Sequence, residues 1–163
     1  MLSVKRAEIA DISRIKEIYE GAQDFMIRSG NPDQWGRFYP TAEMIESDIT
    51  EGESYVIFDE SGIHGVVALT AKEEPTYREI YGGAWLNDEP YITVHRIAGD
   101  GKVHGIFRCV VDHCKGISDN IRIDTHEKNL VMQRLIEGSG FKKCGTIYVR
   151  DRSPRIAYQW SRE

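Results

Sequence analysis

Apolar positions along this chain recur with two periods, and the switches between them mark out the elements. Leu2 to Arg6 reads as a first strand. Asp11-Ile12-Ser13 then opens a helix, with Ile12, Ile15, Ile18 and Tyr19 at helical spacing, and the breaker Ser29-Gly30-Asn31-Pro32 closes it. After an aromatic stretch (Trp35, Phe38, Tyr39, Pro40), Thr41 is placed to cap a second helix carrying Met44, Ile45, Asp48 and Ile49. Ser54 to Phe58 and Ile63 to Leu69 flank the turn Asp59-Glu60-Ser61-Gly62 and predict a hairpin. Gly82-Gly83 interrupts the next segment, Tyr91 to Ile97 is rich in strand formers, and Gly99-Asp100-Gly101 is a tight turn. His104 to Lys115 has helical periodicity, with Phe107, Val110, Val111 and Cys114 on the inward face. Ile121 to Thr125 predicts a strand and Asn129 to Glu137 a helix with Leu130, Leu135 and Ile136 apolar. A final hairpin starts at Gly140-Phe141, runs through Ile147-Tyr148-Val149, turns at Asp151 to Pro154 and returns from Arg155 to Trp160. The order β-α-α-β-β-β-α-β-α-β-β predicts an α/β (α+β type) domain, a mixed sheet with helices on both faces. With no repeat, low-complexity tract or long linker, residues 1–163 are expected to form a single domain.

Composition narrows the class. The chain is 40% hydrophobic and 29% charged, with a net charge of −5, which makes nucleic acid a poor partner. No apolar run reaches the roughly 18 residues of a membrane span, and the first residues turn charged at once, so a cytoplasmic protein without membrane association is expected. Cys109, Cys114 and Cys144 have neither the number nor the spacing of a zinc site, so no metal is expected.

Two constellations carry candidate chemistry. In the first, a strand feeds a glycine turn and a helix opens at once. Helix N-termini expose unpaired N–H groups that bind phosphates, and glycine lets an anion approach the backbone closely. Lys102 and His104 add positive charge to that loop. The alternative is an ordinary βα turn with two solvated basic residues. In the second, Ile121-Arg122-Ile123-Asp124-Thr125-His126 ends a strand in polar groups just before Asn129 and the next helix. Strand alternation puts Asp124 and His126 on one face, where they could share proton transfer. The alternative is that they cap the helix or pair with surface charges.

Taken together and in this order, the motifs resemble the GNAT N-acetyltransferase superfamily. Lys102-Val103-His104-Gly105-Ile106-Phe107 is similar to its phosphate-binding pattern, with Lys102 in the Gln/Arg position, Gly105 matching, and Phe107 where a small residue is usual. Ile123 to Thr125, Asn129 and Gly140-Phe141 match the later strand, Asn and Gly-Phe pattern. Trp85-Leu86-Asn87, His95-Arg96-Ile97-Ala98 and Asp124-Thr125-His126 resemble a bacterial subgroup of unassigned substrate. The resemblance implies a central, mostly antiparallel sheet of about seven strands. It also implies acetyl-CoA as co-substrate and transfer of its acetyl group to the primary amine of a small molecule or a peptide N-terminus. The backbone of Ile97, Ala98 and Gly99 would line the pantetheine arm. N–H groups from Val103 to Phe107, with Ile106 among them, would hold the pyrophosphate, and Asn129 would meet the coenzyme.

The resemblance also suggests roles in catalysis. Asp124 stands where relatives acting on protein N-termini carry a catalytic Glu, and His95 is the other base candidate. The usual acid, a Tyr four residues before the Gly-Phe glycine, is replaced by Ile136, leaving Tyr148 and Tyr158 as substitutes. Trp35, Tyr39 and Trp85 would form an aromatic acceptor wall, with Asp88 or Glu89 attracting a cation. Arg96 and Arg155 could instead bind a substrate carboxylate or form structural ion pairs. A homodimer through the C-terminal strands is compatible with the resemblance. The rival reading, motivated by Phe107 and Ile136, is a non-catalytic acetyl-CoA-binding sensor of the same fold.

Overall fold

Thr41 starts its helix as expected, Oγ1 accepting the Met44 N–H at 3.2 Å, and the same local rules set most of the elements. The computed structural model describes residues 1–163. Its strands are β1 (Ser3–Arg6), β2 (Ser54–Asp59), β3 (Gly62–Thr70), β4 (Ile92–Gly99), β5 (Asn120–Thr125), β6 (Lys142–Tyr148) and β7 (Pro154–Ser161). Its helices are α1 (Ile12–Arg28), α2 (Ala42–Thr50), α3 (Ile106–Lys115) and α4 (Leu130–Gly138). The element order is the one expected. One seven-stranded sheet runs β1-β2-β3-β4-β5-β7-β6, and β4 pairs with β5 in parallel through Ile92↔Ile121 and Thr93↔Arg122. The β1–β2, β2–β3, β5–β7 and β6–β7 pairs are antiparallel. No helix is long and apolar enough to cross a membrane.

The chain resolves into two compact units, residues 1–70 with 94–113, and residues 71–93 with 114–163. In the first, β2 and β3 pair Val56 with Val66 and Ile57 with Gly65, so these pairs point to opposite faces. Val56, Val66 and Ala98 form a core with Ile15, Ile18 and Tyr19 of α1 and Ile45 and Ile49 of α2. On the other face, a Cβ on Gly65 would lie 3.0 Å from Ile106 Cδ1, and one on Gly99 would lie 3.4 Å from Ile106 Cγ1. Two glycines thus clear a shelf for the first residue of α3.

In the second unit, β5 sits beside β7 with Asp124 opposite Ala157 and Ile123 opposite Tyr158. The Tyr158 face meets α4, the tyrosine hydroxyl donating to Glu137 Oε2 at 2.8 Å. The opposite face is covered by residues 71–91, where Tyr77, Ile147 and Ala157 pack with Ile80, Trp85 and Tyr91.

Two local expectations change. The third helix starts at Ile106, not His104, because Gly105 adopts φ 89° and sets residue 106 as the first helical position. His126 lies beyond β5 and is a turn residue, its Nδ1 accepting the Lys128 N–H and its carbonyl the Asn129 N–H. Leu130 and Leu135 of α4 face outward, 57% and 43% exposed, and Ile136 alone of the three is buried.

Candidate active site

The coenzyme-loop candidates all belong to the first unit. α3 begins on the glycine shelf, and the Gly105 carbonyl accepts the Cys109 N–H at 3.0 Å. A Cβ on Gly105 would meet nothing within 4 Å, so its backbone faces open space. Glycine also brings no side chain to cap the helix start. Lys102 and His104 are exposed and Val103 half-buried, whereas Phe107 is 5% exposed. The Phe107 ring therefore serves the core, and its bulk takes nothing from the open side of the loop. Residue types and geometry here suit a phosphate.

A network that pattern reading missed anchors this loop. Asp100 Oδ1 accepts the Lys102 N–H at 2.9 Å. Its Oδ2 lies 2.8 Å from His64 Nδ1 and 2.7 Å from Arg14 Nη2. His64 Nε2 in turn lies 2.7 Å from Ser61 Oγ and 3.1 Å from Asp59 Oδ1. The Asp100 hydrogen bond and charge, aided by Asp59, raise the His64 pKa against the effect of burial. An Asp inside a Gly-Asp-Gly turn reads as turn chemistry, and nothing in the sequence ties it to His64, 36 residues earlier.

β4 is kinked where Ile97, Ala98 and Gly99 begin. Arg96 has φ 50°, a left-handed conformation costly for a residue with a Cβ. Its surroundings hold it there. Nε and Nη2 fork onto Asp48 at 3.0 and 2.9 Å, Nη1 donates to Tyr39 Oη at 3.1 Å, and the Tyr19 hydroxyl donates to the Arg96 carbonyl at 2.8 Å. Trp35 packs between Tyr19 and Tyr39, with ring centroids 5.8 and 6.1 Å away. Trp35 and Tyr39 thus come together as expected, but as the wall of a buried ion pair. Arg96 is committed to Asp48, so of its two expected roles the structural one holds. Ala98 is buried in the core, and Ile97 and Gly99 are half-buried. His95, half-buried, has its pKa lowered to about 3 by burial and by the Arg96 charge, so its imidazole is neutral at physiological pH.

Asp124, Asn129 and Trp85 belong to the second unit. The buried Tyr77 hydroxyl donates to Asp124 Oδ2 at 2.6 Å. Burial raises the Asp124 pKa, opposed by the Tyr77 hydrogen bond and the Arg155 charge. Tyr77 carried no signal in the sequence, since it lies on a short 3-10 turn (Pro75–Tyr77) in a stretch without periodicity. Asn129 caps α4, Oδ1 accepting the Met132 N–H at 3.1 Å. Trp85 is not an open aromatic wall. Its indole N–H donates to the Tyr77 carbonyl at 2.8 Å, and the Arg122 guanidinium lies 4.1 Å from its ring centre and 4.1 Å from that of Tyr91. The protein's own cation occupies the π face that a substrate ammonium would need. Asn87 and Gln159 complete this buried lattice, Gln159 accepting from Leu86 N–H and Arg122 Nε, and Asn87 donating to Asn120 and Ser161. Ile136 is fully buried at the usual acid position, Tyr158 is bound to Glu137, and Tyr148 stacks edge-on with Tyr81.

No protein-family model matches the chain, and no curated protein sequence matches it. Solved structures do. An acetyltransferase of the GNAT family from Streptococcus agalactiae 2603 superposes with a TM-score of 0.89 at 27% identity, over 99% of this chain and 96% of the other. A GNAT-family acetyltransferase from Listeria monocytogenes 4b F2365 gives 0.72 at 18% identity, over 98% and 94%. A GNAT-superfamily phosphinothricin acetyltransferase from Sinorhizobium meliloti, in complex with AcCoA, gives 0.65 at 16% identity, over 98% and 88%. With its element order, its sheet and its full-length likeness to the streptococcal protein, the chain is a member of the GNAT superfamily.

Proposed function

We propose that this protein is an acetyl-CoA-dependent N-acetyltransferase acting on a primary amine of a small molecule. The observation that carries the reading is the loop from Gly99 to Phe107. The two-glycine shelf under Ile106, the open backbone at Gly105 and the inward Phe107 ring leave a helix start free to receive a pyrophosphate. The AcCoA-bound phosphinothricin acetyltransferase of the same fold supports both the donor and a small-molecule acceptor. In this reading Val103 to Phe107 supply N–H groups to the pyrophosphate, Lys102 and His104 add charge, and Ile97 to Gly99 present backbone to the pantetheine arm. Asn129, at the start of α4, is assigned to the coenzyme by the family likeness.

Bound acetyl-CoA supplies an activated acyl carbon with a thiolate leaving group. An alkylammonium is not nucleophilic, so the chain must first remove a proton. Asp124 takes that role, because burial raises its basicity and Tyr77 fixes one oxygen while leaving the other for the amine. The amine nitrogen then bonds to the acetyl carbon as the carbon–sulfur bond breaks, and its second proton passes to the departing thiolate. His95, a weak base with its lowered pKa, acts as a neutral hydrogen-bonding group.

The sensor reading loses half its motive, since Phe107 is a core residue, and keeps the other half in Ile136. Thermal unfolding with acetyl-CoA, coenzyme A and ATP tests the donor, and a panel of amines followed by free-thiol release tests transfer. At 100 times Kd a ligand stabilises by about 2.7 kcal/mol, roughly 5–10 °C for a chain of this size. No shift with acetyl-CoA would sink both readings. A shift without thiol release from any amine would leave the sensor.

A further inference from the structure

In the second unit, Asp124 and Arg155 are opposite charges on one face of the sheet without a direct ion pair. Asp124 on β5 stands opposite Ala157 on β7. Arg155, two residues from Ala157, is therefore its diagonal neighbour on the same face of the sheet. Such diagonal positions lie about 7–8 Å apart between backbones, within reach of long side chains but wider than a direct ion pair. Each residue keeps its other contacts. Asp124 accepts from Tyr77 through Oδ2, which leaves Oδ1 without a protein donor. Arg155 donates twice through Nη1, to Ser153 Oγ and to the Pro154 carbonyl, both at 3.0 Å, which leaves Nε and Nη2 without a protein acceptor. Arg155 is only 7% exposed.

A guanidinium buried to this degree without full pairing is costly. Yet the sealed, unpartnered polar atoms of the protein are Asn31 Oδ1, Thr93 Oγ1 and Thr125 Oγ1. Asp124 Oδ1 and the free edge of Arg155 are not among them, so these atoms keep some contact with solvent. Asp151 also carries charge near Arg155, and its Oδ1 accepts from the Ser153 N–H and hydroxyl. Arg122, the neighbouring cation on this face, is stacked between Trp85 and Tyr91 and bonded to the Asn87 carbonyl. One carboxylate oxygen and one guanidinium edge remain unused, on diagonal positions of one face of the sheet.

We propose that this pair binds a zwitterion, and that the acceptor is a free amino acid. Its ammonium sits on Asp124 Oδ1 and its carboxylate on the Nε–Nη2 edge of Arg155, a planar fork suited to bidentate pairing. This deepens the acetyltransferase reading and rests on it. Arg155 is then the specificity-determining residue, selecting free amino acids over peptide N-termini and simple alkylamines, which bring no carboxylate to that edge.

The test compares matched acceptors on the wild-type protein: the common amino acids, their carboxamides and their decarboxylated amines, with acetyl-CoA and free-thiol detection. The acids are expected to lead their amides by roughly 10–100-fold in kcat/KM, the scale of a hydrogen bond to a charged group. Arg155→Gln should erase that lead by slowing the acids, and Arg155→Lys should restore part of it. Amides or alkylamines used as well as the acids would overturn the amino-acid assignment and leave the acetyltransferase reading intact. If no amine is acetylated, the transfer reading fails instead. The zwitterion site is then judged by the Arg155 Nε–Hε resonance. A shift on adding amino acids and none on adding amides supports the site, and no shift with either overturns it.

Discussion

Tyr77 and Asp124 are 47 residues apart in sequence and 2.6 Å apart at their oxygens, the phenol donating to the carboxylate. The buried phenol stacks against Trp85 and Tyr91, with centroids 5.1 and 6.3 Å away, so its hydroxyl is held by packing. It fixes the plane of the Asp124 carboxylate and lowers the cost of its charge, while burial raises that cost.

Asp124→Asn should therefore separate stability from activity. An aspartate whose folded pKa is raised contributes stability that is full below its unfolded pKa, near ~3.9, and is lost as pH rises through the folded value. Once ionised, the group works against the fold. The amide is expected to raise Tm at pH 7, with the gain shrinking toward pH 4. Turnover should fall by roughly 10²–10⁴-fold, the range for a lost general base, with the acetyl-CoA thermal shift unchanged. Thermal melts across pH beside initial rates check it, and retained turnover would remove Asp124 from the proton-transfer role.

Gly105→Glu should abolish most of the acetyl-CoA shift. The position faces open space at φ 89°, so the carboxylate would project where the pyrophosphate is expected. Gly105→Ala is the control. It carries only the backbone cost of a left-handed residue, about 1–2 kcal/mol. Calorimetric titration of both variants distinguishes charge from strain, and equal affinities would place the phosphates elsewhere.

The loop should also respond to pH through His64. Its pKa is raised by Asp100 and Asp59, so the stability it lends is complete below about 6.5 and declines as pH rises through the folded value. Arg14 stays on Asp100 throughout, so the loop should loosen without detaching. The readout is hydrogen exchange at the Lys102 N–H, which Asp100 Oδ1 accepts. Protection, corrected for the intrinsic rate, should fall as pH rises above about 6.5 in the wild type and stay flat in His64→Gln. A flat wild-type profile would show that His64 does not govern the loop.

Local signals made the fold legible. Thr41 announced α2, Ser29-Gly30-Asn31-Pro32 ended α1, and the period of the apolar residues separated strands from helices. The phosphate-loop candidates were legible for the same reason, because glycines and basic residues there are neighbours in sequence. Side-chain partnerships were not. Trp85 reads in the sequence as an open ring, but Arg122 lies against it, and Arg96 is open between a substrate carboxylate and an ion pair, with nothing local to point to Asp48. Such pairs are set by sheet register and loop path, which leave no trace in a local pattern. Arg155, by contrast, kept its free edge, and only the β5–β7 register put it beside Asp124.

The Arg96–Asp48 pair supports a last expectation about the kink in β4. Both residues are largely buried, with side chains 13% and 11% exposed. Arg96→Met leaves a buried carboxylate alone and should cost about 3–5 kcal/mol, or roughly 10 °C in Tm. Adding Asp48→Leu removes the stranded charge and should recover most of that loss, since a packed apolar pair often equals a buried ion pair. The two differ in what they do to the backbone. The ion pair and the Tyr39 contact pull the Arg96 side chain toward α2 and hold φ at 50°, whereas Met and Leu impose no such direction. The double variant should thus regain stability while its acetyl-CoA affinity stays below that of the wild type, because the strand carrying Ile97 to Gly99 is free to straighten. Thermal melts and calorimetric titration on the three variants test the separation. Full affinity in the double variant would mean that the kink is held by the Tyr19 hydroxyl and the core alone.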